Sequence, residues 1–199
     1  MARPRSAGFE LQREQMLAAA AQLFAMRGYT ASTMKEVAAA CGVSKATLYH
    51  YVSDKHGLLV QITQGHVARL EGLVQEVQQQ QLEPQAQLRE LIHRFMQVYA
   101  SAQHEHRVLT EDVKFLAEPD RAAVQAGQRR VVKAFADAIG TLRPELQSRQ
   151  LHKPLAMLLF GMMNWTFTWL REGGALTHAS LAPLVAELFL GGLPAVPVR

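Results

Sequence analysis

Two helix-start signals stand close together near the N-terminus, Thr33-Met34-Lys35-Glu36 and Ser44, with Cys41-Gly42-Val43 before the second. The first is a capping-box sequence: the Thr33 hydroxyl can accept the Glu36 amide while the Glu36 carboxylate returns a bond to the Thr33 backbone. Gly42 admits the backbone of a tight turn at no steric cost, and Ser44 is a strong N-cap for a second helix. The pattern predicts a short helix from Thr33 to about Ala40, a turn over 41–43, and a second short helix to about Tyr51 or Val52. Val37, Ala38, Val43 and Leu48 fall where they pack inward, and the small alanines let the two helices approach closely.

Two short crossed helices joined by a glycine turn are the layout of a helix-turn-helix, in which the second helix enters a DNA major groove and the first braces it. The outward residues suit that use. Lys45, Thr47, Tyr49, His50 and Tyr51 offer donors or an aromatic face, and Lys55 stands at the start of the next helix, where its charge and the helix N-terminus can meet a phosphate. Charge points the same way. Residues 1–55 hold seven Lys/Arg, Arg3 and Arg5 among them, against four acids, whereas the other 144 residues hold fourteen against thirteen. Most of the net +4 therefore sits in about a quarter of the chain, as suits a polyanionic partner.

The remainder also reads as helix. No stretch alternates β-branched and aromatic residues with a period of two, so an all-α fold of about nine helices is expected. The first helix, about Leu11 to Met26, places Met16, Leu17, Ala20, Leu23 and Phe24 on one face and stops at Gly28. Ser53-Asp54 caps a fourth helix, Glu83-Pro84 separates it from a fifth, a sixth covers about Glu105 to Ala117, and a seventh ends at Arg143-Pro144. The eighth is expected from about Gln147 to Glu172, disturbed at Pro154. The ninth is expected to start at a Ser180 cap and stop at Gly191-Gly192, before a loose tail from Pro194.

Several functions are set aside. Cys41 is the single cysteine, so no internal disulfide forms, as suits a reducing compartment. The first residues lack an apolar signal core. The longest uncharged run, 154–170, is 17 residues with Asn164, Thr166 and Thr168 inside it, marginal for a membrane span of roughly 20. His104 and His106 point about 200° apart on a helix and cannot chelate together. No metalloprotease, CxxC, nucleophile-elbow or phosphate-loop motif is present, so no enzyme, metal or cofactor is expected.

Residues 11–62 resemble the N-terminal domain of the TetR family of regulators. The resemblance rests on Phe24-Ala25-Met26-Arg27-Gly28-Tyr29, Thr33 to Ala38, Cys41 to Tyr49, and Tyr51-Val52-Ser53-Asp54-Lys55-His56-Gly57-Leu58-Leu59. Val52 and His56 depart from the family pattern, where Phe and an acid are frequent. The resemblance implies a DNA-binding domain over 9–55 and a helical ligand-binding and dimerisation domain over 56–192. It implies that Thr33, Met34 and Lys35 approach the DNA backbone, that Lys45, Ala46, Thr47, Tyr49, His50 and Tyr51 line the recognition surface, and that Lys55 holds a phosphate. Ser44 caps its helix and stands at the same surface. A homodimer through the last two helices, on a palindromic operator, follows from the same likeness, with Leu155 to Leu170 and Leu181, Leu184, Val185, Leu188 and Phe189 as the apolar surface.

The family also implies an effector pocket. Phe95, Met96, Tyr99, Phe115, Met162, Trp165 and Trp169 are the bulky candidates for lining it. Leu159 to Thr166, with Asn164-Trp165, resembles family members that sense acyl-CoA thioesters, and Arg94, Arg129, Arg130 and Lys133 are cations that such a ligand's phosphates would need. The expectation is a cytoplasmic repressor, on the nucleoid when bound, that a small molecule releases from its operator.

Overall fold

The computed structural model describes residues 7–171 and 173–197. Arg3 and Arg5, Glu172 as the expected end of the eighth helix, and the last two residues of the tail lie outside the described residues. All regular structure among the described residues is helical: α1 Ala7–Arg27, α2 Met34–Ala40, α3 Lys45–Tyr49, α4 Lys55–Gln79, α5 Pro84–Ser101, α6 Gln103–Glu111, α7 Asp120–Leu142, α8 Pro144–Ser148, α9 His152–Asn164, α10 Thr166–Trp169 and α11 His178–Gly192. Single 3-10 turns cover Val113–Phe115 and Leu193–Ala195.

The chain divides into two compact units, one of residues 1–66 with 104–124 and the other of 67–103 with 125–199. The first unit therefore holds, besides the expected 9–55, the opening turns of α4 and the α6 segment.

In the first unit α1 packs on α2 and α2 on α3. Met16, Ala20, Phe24, Val37, Ala38, Leu48, Val52, Leu58 and Leu59 are buried there. Val43, expected inside, is half-buried. Gly28 ends α1 at φ +87°, a left-handed conformation that a side chain resists, and its amide closes on the Phe24 carbonyl at 2.8 Å.

In the second unit α11 packs on α5 and on α9. The core centres on Phe95, Phe135 and Phe160, with Phe95 and Phe135 edge to face at 4.9 Å and Phe160 tilted against Phe135 at 4.7 Å. Gly127 lies where α7 meets α4, and a Cβ there would collide with Val67 Cγ1.

The C-terminal helices depart from expectation for local reasons. The expected eighth helix is three segments, α8, α9 and α10. The first break falls at Gln150, which takes a left-handed φ of +58° while the Leu151 amide closes on the Leu146 carbonyl at 2.8 Å. Pro154 causes no break: it is the third residue of α9, where its missing N–H had no intrahelical partner to lose. The second break follows Asn164. There the Thr166 hydroxyl donates to the Met163 carbonyl at 2.8 Å and the Thr168 hydroxyl to the Trp165 carbonyl at 2.7 Å, competing with the helix ladder. The last helix is capped by Thr177, with Ser180 as its capping-box partner three residues in, and not by Ser180 itself. The sixth helix stops at Glu111, and the stretch toward Ala117 holds only the 3-10 turn.

Candidate nucleic-acid interface

The interface is built outward from the turn between α2 and α3. The Val43 amide bonds the Ala38 carbonyl at 3.0 Å and the Gly42 amide bonds the Ala39 carbonyl at 3.1 Å, with Gly42 at φ +67°. This pair of bonds is a Schellman closure, and it needs a residue tolerant of left-handed backbone at position 42. Ser44 then accepts the Thr47 amide at 3.0 Å, starting α3 in a new direction.

At the other end of α2 the capping box is complete. The Glu36 amide donates to Thr33 Oγ1 at 3.3 Å, and Glu36 Oε2 accepts the Thr33 amide at 2.9 Å and its hydroxyl at 2.8 Å. Arg27 at the end of α1 donates to the other carboxylate oxygen at 2.6 Å. These hydrogen bonds from Thr33, then Arg27, hold the Glu36 carboxyl below its ordinary range.

The helices present a small exposed surface. Thr33 and Lys35 at the start of α2, Lys45, Ala46 and Tyr49 of α3, and its caps Ser44 and His50 are exposed; Met34 and Thr47 are half-buried. Tyr49 is 43% exposed, and the Lys45 ammonium lies 5.6 Å from its ring centroid, one turn away. The Ser44 and Thr47 hydroxyls are 2.8 Å apart. Lys35 and Lys45 are the exposed ammonium groups here, and a neutral aromatic and an imidazole stand beside them. The arrangement can donate to phosphate oxygens and to base edges. Cys41, in the turn, is half-buried and its thiol is pushed up by desolvation.

Two residues expected on this surface have their polar atoms engaged inside the protein. The Tyr51 hydroxyl donates to Gln12 Oε1 at 2.6 Å, and its ring stacks on Phe9 at 4.4 Å, tying the end of the motif to α1. Lys55 Nζ donates to the carbonyls of Tyr29 at 2.9 Å, Ser32 at 2.9 Å and Thr30 at 3.3 Å. Its partners were missed in the sequence because they belong to a loop 23 to 26 positions earlier. Gly28-Tyr29 lay within the matched motif, yet nothing local marks Tyr29 and Ser32 as acceptors.

The expected effector residues do not assemble in one place. Phe95 and Met96 are fully buried in the core of the second unit, with Tyr99 beside them. The Tyr99 hydroxyl donates to Asn164 Oδ1 at 2.9 Å, and burial pushes the phenol up. This joins Tyr99 to the Asn164-Trp165 pair, and Met162 is half-buried nearby in sequence. Trp165 and Trp169 are exposed, and Trp165 stacks on Phe167 at 6.1 Å. Phe115 belongs to the first unit and stacks on Tyr29. A groove of about 260 Å³ between α4 and α7 is lined by Arg130 and Lys133, but each faces a carboxylate, Glu71 and Asp137. Arg94 likewise pairs with Glu76.

A short reading helix, set by a serine cap behind a glycine turn and braced by a second helix, defines a helix-turn-helix DNA-binding regulator. Residues 16–62 match the model of bacterial regulatory proteins of the tetR family, and residues 81–193 match the tetracyclin repressor-like C-terminal domain. The chain belongs to the TetR family of bacterial transcriptional regulators, which bind DNA and are not enzymes. It is similar to a TetR-family regulator from Bordetella parapertussis 12822, whose crystal structure matches with a TM-score of 0.86 and 32% identity over 93% of this chain and 97% of that one. Among named relatives, the HTH-type transcriptional activator FasR of Mycolicibacterium smegmatis is 27% identical, over 94% of this chain and 85% of FasR. The crystal structure of AibR in complex with isovaleryl coenzyme A and operator DNA shares the fold, with a TM-score of 0.75 and 24% identity over 89% of this chain and 97% of that one.

Proposed function

We propose that this regulator is a repressor that occupies a palindromic operator as a homodimer and leaves it when a small molecule binds the C-terminal region. The observation that carries the DNA half of this reading is the exposed face of α3 and its C-cap, where Lys45, Tyr49 and His50 stand clear of a packed core. Thr33, Met34, Lys35 and Ser44 meet the phosphate backbone, and Lys45, Ala46, Thr47, Tyr49 and His50 form the recognition surface. Tyr51 and Lys55 support that surface from behind, Tyr51 through Gln12 and Phe9 of α1 and Lys55 through the carbonyls of the α1–α2 loop. In this reading 9–55 is the DNA-binding domain and 56–192 the ligand-binding and dimerisation domain, and the protein works in the cytoplasm, on the nucleoid when bound.

The dimer forms through α9 and α11. Met157 and Leu158 on α9 and Leu184 and Leu188 on α11 are exposed leucines and methionine, Leu188 at 71%, which a second copy would cover. Two reading helices then meet half-sites one helical turn, or a multiple of it, apart.

The effector is an acyl-CoA thioester. Support comes from the Asn164-Trp165 pair, from the hydrogen bond that joins Asn164 to Tyr99, and from the fold shared with AibR. Occupation of the operator suffices to block a promoter, which favours repression. The name of FasR favours the second reading, activation from the same site.

The test is selection of duplexes from a random pool by the full chain, followed by titration of thioesters into the complex. An enriched palindrome is expected, with Tyr49→Ala binding it about tenfold or more weakly. Recovery of no sequence would end the operator reading, and retention of the complex under every thioester would end the effector reading.

A further inference from the structure

Lys55 opens α4, and its ammonium has three N–H donors. All three are directed into the α1–α2 loop, on the carbonyls of Tyr29, Thr30 and Ser32. The same ammonium lies 4.5 Å from the Tyr29 ring centroid. Those carbonyls come directly after the C-terminal end of α1, where the helix dipole favours a cation. The loop is held from within as well: Ser32 is buried, its hydroxyl donates to the Gly28 carbonyl at 2.8 Å, and the next residue is Thr33, the cap that starts α2. One side chain therefore ties the start of α4 to the loop that leads into α2.

Tyr29 is the other half of the joint. Its ring stands edge-on to Phe24 of α1 at 5.3 Å and stacks on Phe115 at 5.6 Å, with 28° between the planes. Burial, then the nearby Asp54 and Asp112, pushes its phenol up, so it is a neutral ring throughout the working range. Phe115 lies in the stretch that matches the C-terminal domain, yet it folds with the first unit. A second tie runs beside it, His56 Nε2 to Asp120 Oδ2 at 3.1 Å.

We propose that Lys55 is a positioning residue rather than a phosphate contact, and that Lys55, Tyr29 and Phe115 form the joint through which the 104–124 segment holds α2 and α3 in their reading position. Lysine suits the role because three rotatable donors can converge on three carbonyls. The planar guanidinium of arginine presents its donors as a fixed fork on a longer stem, which matches that convergence less well. A phosphate contact has the opposite preference, since arginine serves it at least as well as lysine. The inference rests on the operator-binding reading only for its DNA readouts.

The experiment uses the full chain, the duplex it selects, and a scrambled duplex of equal length, with Lys55→Met, Lys55→Arg and Phe115→Ala. Each variant is expected to bind the selected duplex about tenfold more weakly and the scrambled duplex as the parent does, because position, not charge contact, is lost. The salt dependence on the scrambled duplex is expected to stay unchanged. Lys55→Met combined with Phe115→Ala should cost less than the two separately, as for residues sharing one joint.

Without DNA, amide exchange over residues 33–41 should quicken in both Lys55→Met and Phe115→Ala. That readout holds even where no duplex is selected. Equal weakening on both duplexes, a salt slope smaller by about one, and an Lys55→Arg chain that binds like the parent would return Lys55 to the phosphate and overturn the proposal. Unaltered exchange over 33–41 in Phe115→Ala would remove Phe115 from the joint. Should Lys55→Met fail to fold, Lys55→Arg and Phe115→Ala decide between the two roles in its place, since the first keeps the charge and the second leaves every Lys55 hydrogen bond intact.

Discussion

Single side chains start the two motif helices, and their contributions are separable. Thr33 and Ser44 each satisfy an otherwise unpaired amide in a first turn, so Thr33→Ala and Ser44→Ala should each destabilise the chain by about 1 kcal/mol in denaturant unfolding. Both caps, and Gly42 behind them, were legible in the sequence because each bond closes within three to five residues. Lys55, Tyr51 and Phe115 were not: the first two were expected on the DNA surface and Phe115 in the effector pocket, and the partners of all three come from distant parts of the chain. His178, the first residue of α11, is buried, and desolvation pulls its imidazole below the ordinary 6.5. A depressed histidine binds its proton more readily unfolded, so its contribution to stability is whole above about pH 6.5 and is lost as the pH falls through the lowered value. Thermal midpoints followed from about pH 7.5 to 5 should therefore fall less steeply in His178→Gln than in the parent.

At the scale of elements, contact distance decides what a sequence pattern cannot express. Gly127 sits in the middle of α7, where a glycine is unfavourable by about 1 kcal/mol relative to alanine. Its reason is α4: any Cβ would strike Val67. Gly127→Ala should consequently lower stability by about 1 kcal/mol, the overpacking cost exceeding the gain in helix propensity, as chemical denaturation would show. An increase in stability would mean that Val67 can give way. The helix ends divide in the same manner. Pro154 was read as a disturbance and is a tolerated first-turn proline, whereas the true break at Gln150 carries no breaker residue at all. Ser180 was read as the cap of the last helix, but Thr177 takes that place and Ser180 completes the box.

For the molecule as a whole, the proposed operator binding requires a second copy. Leu184 and Leu188 are 56% and 71% exposed on α11 and belong to the surface through which the proposed dimer forms. Leu184→Glu with Leu188→Glu should leave the fold of the protomer intact, since neither side chain is in its core, and should give a monomer by analytical ultracentrifugation. Each leucine covered in an interface contributes about 2 kcal/mol, and a two-fold axis counts it twice. Operator affinity should fall with the dimer, and a variant that remains dimeric would place the interface elsewhere.

Helical class, the capped pair at 33–52 and the basic N-terminal quarter could all be read from residues in a row, because helix periodicity, capping and charge are properties of near neighbours. Where long side chains end and which residues the second unit buries were decided by packing. An ammonium or an aromatic ring takes whichever partners the folded chain brings within reach, and those partners leave no mark on its immediate sequence.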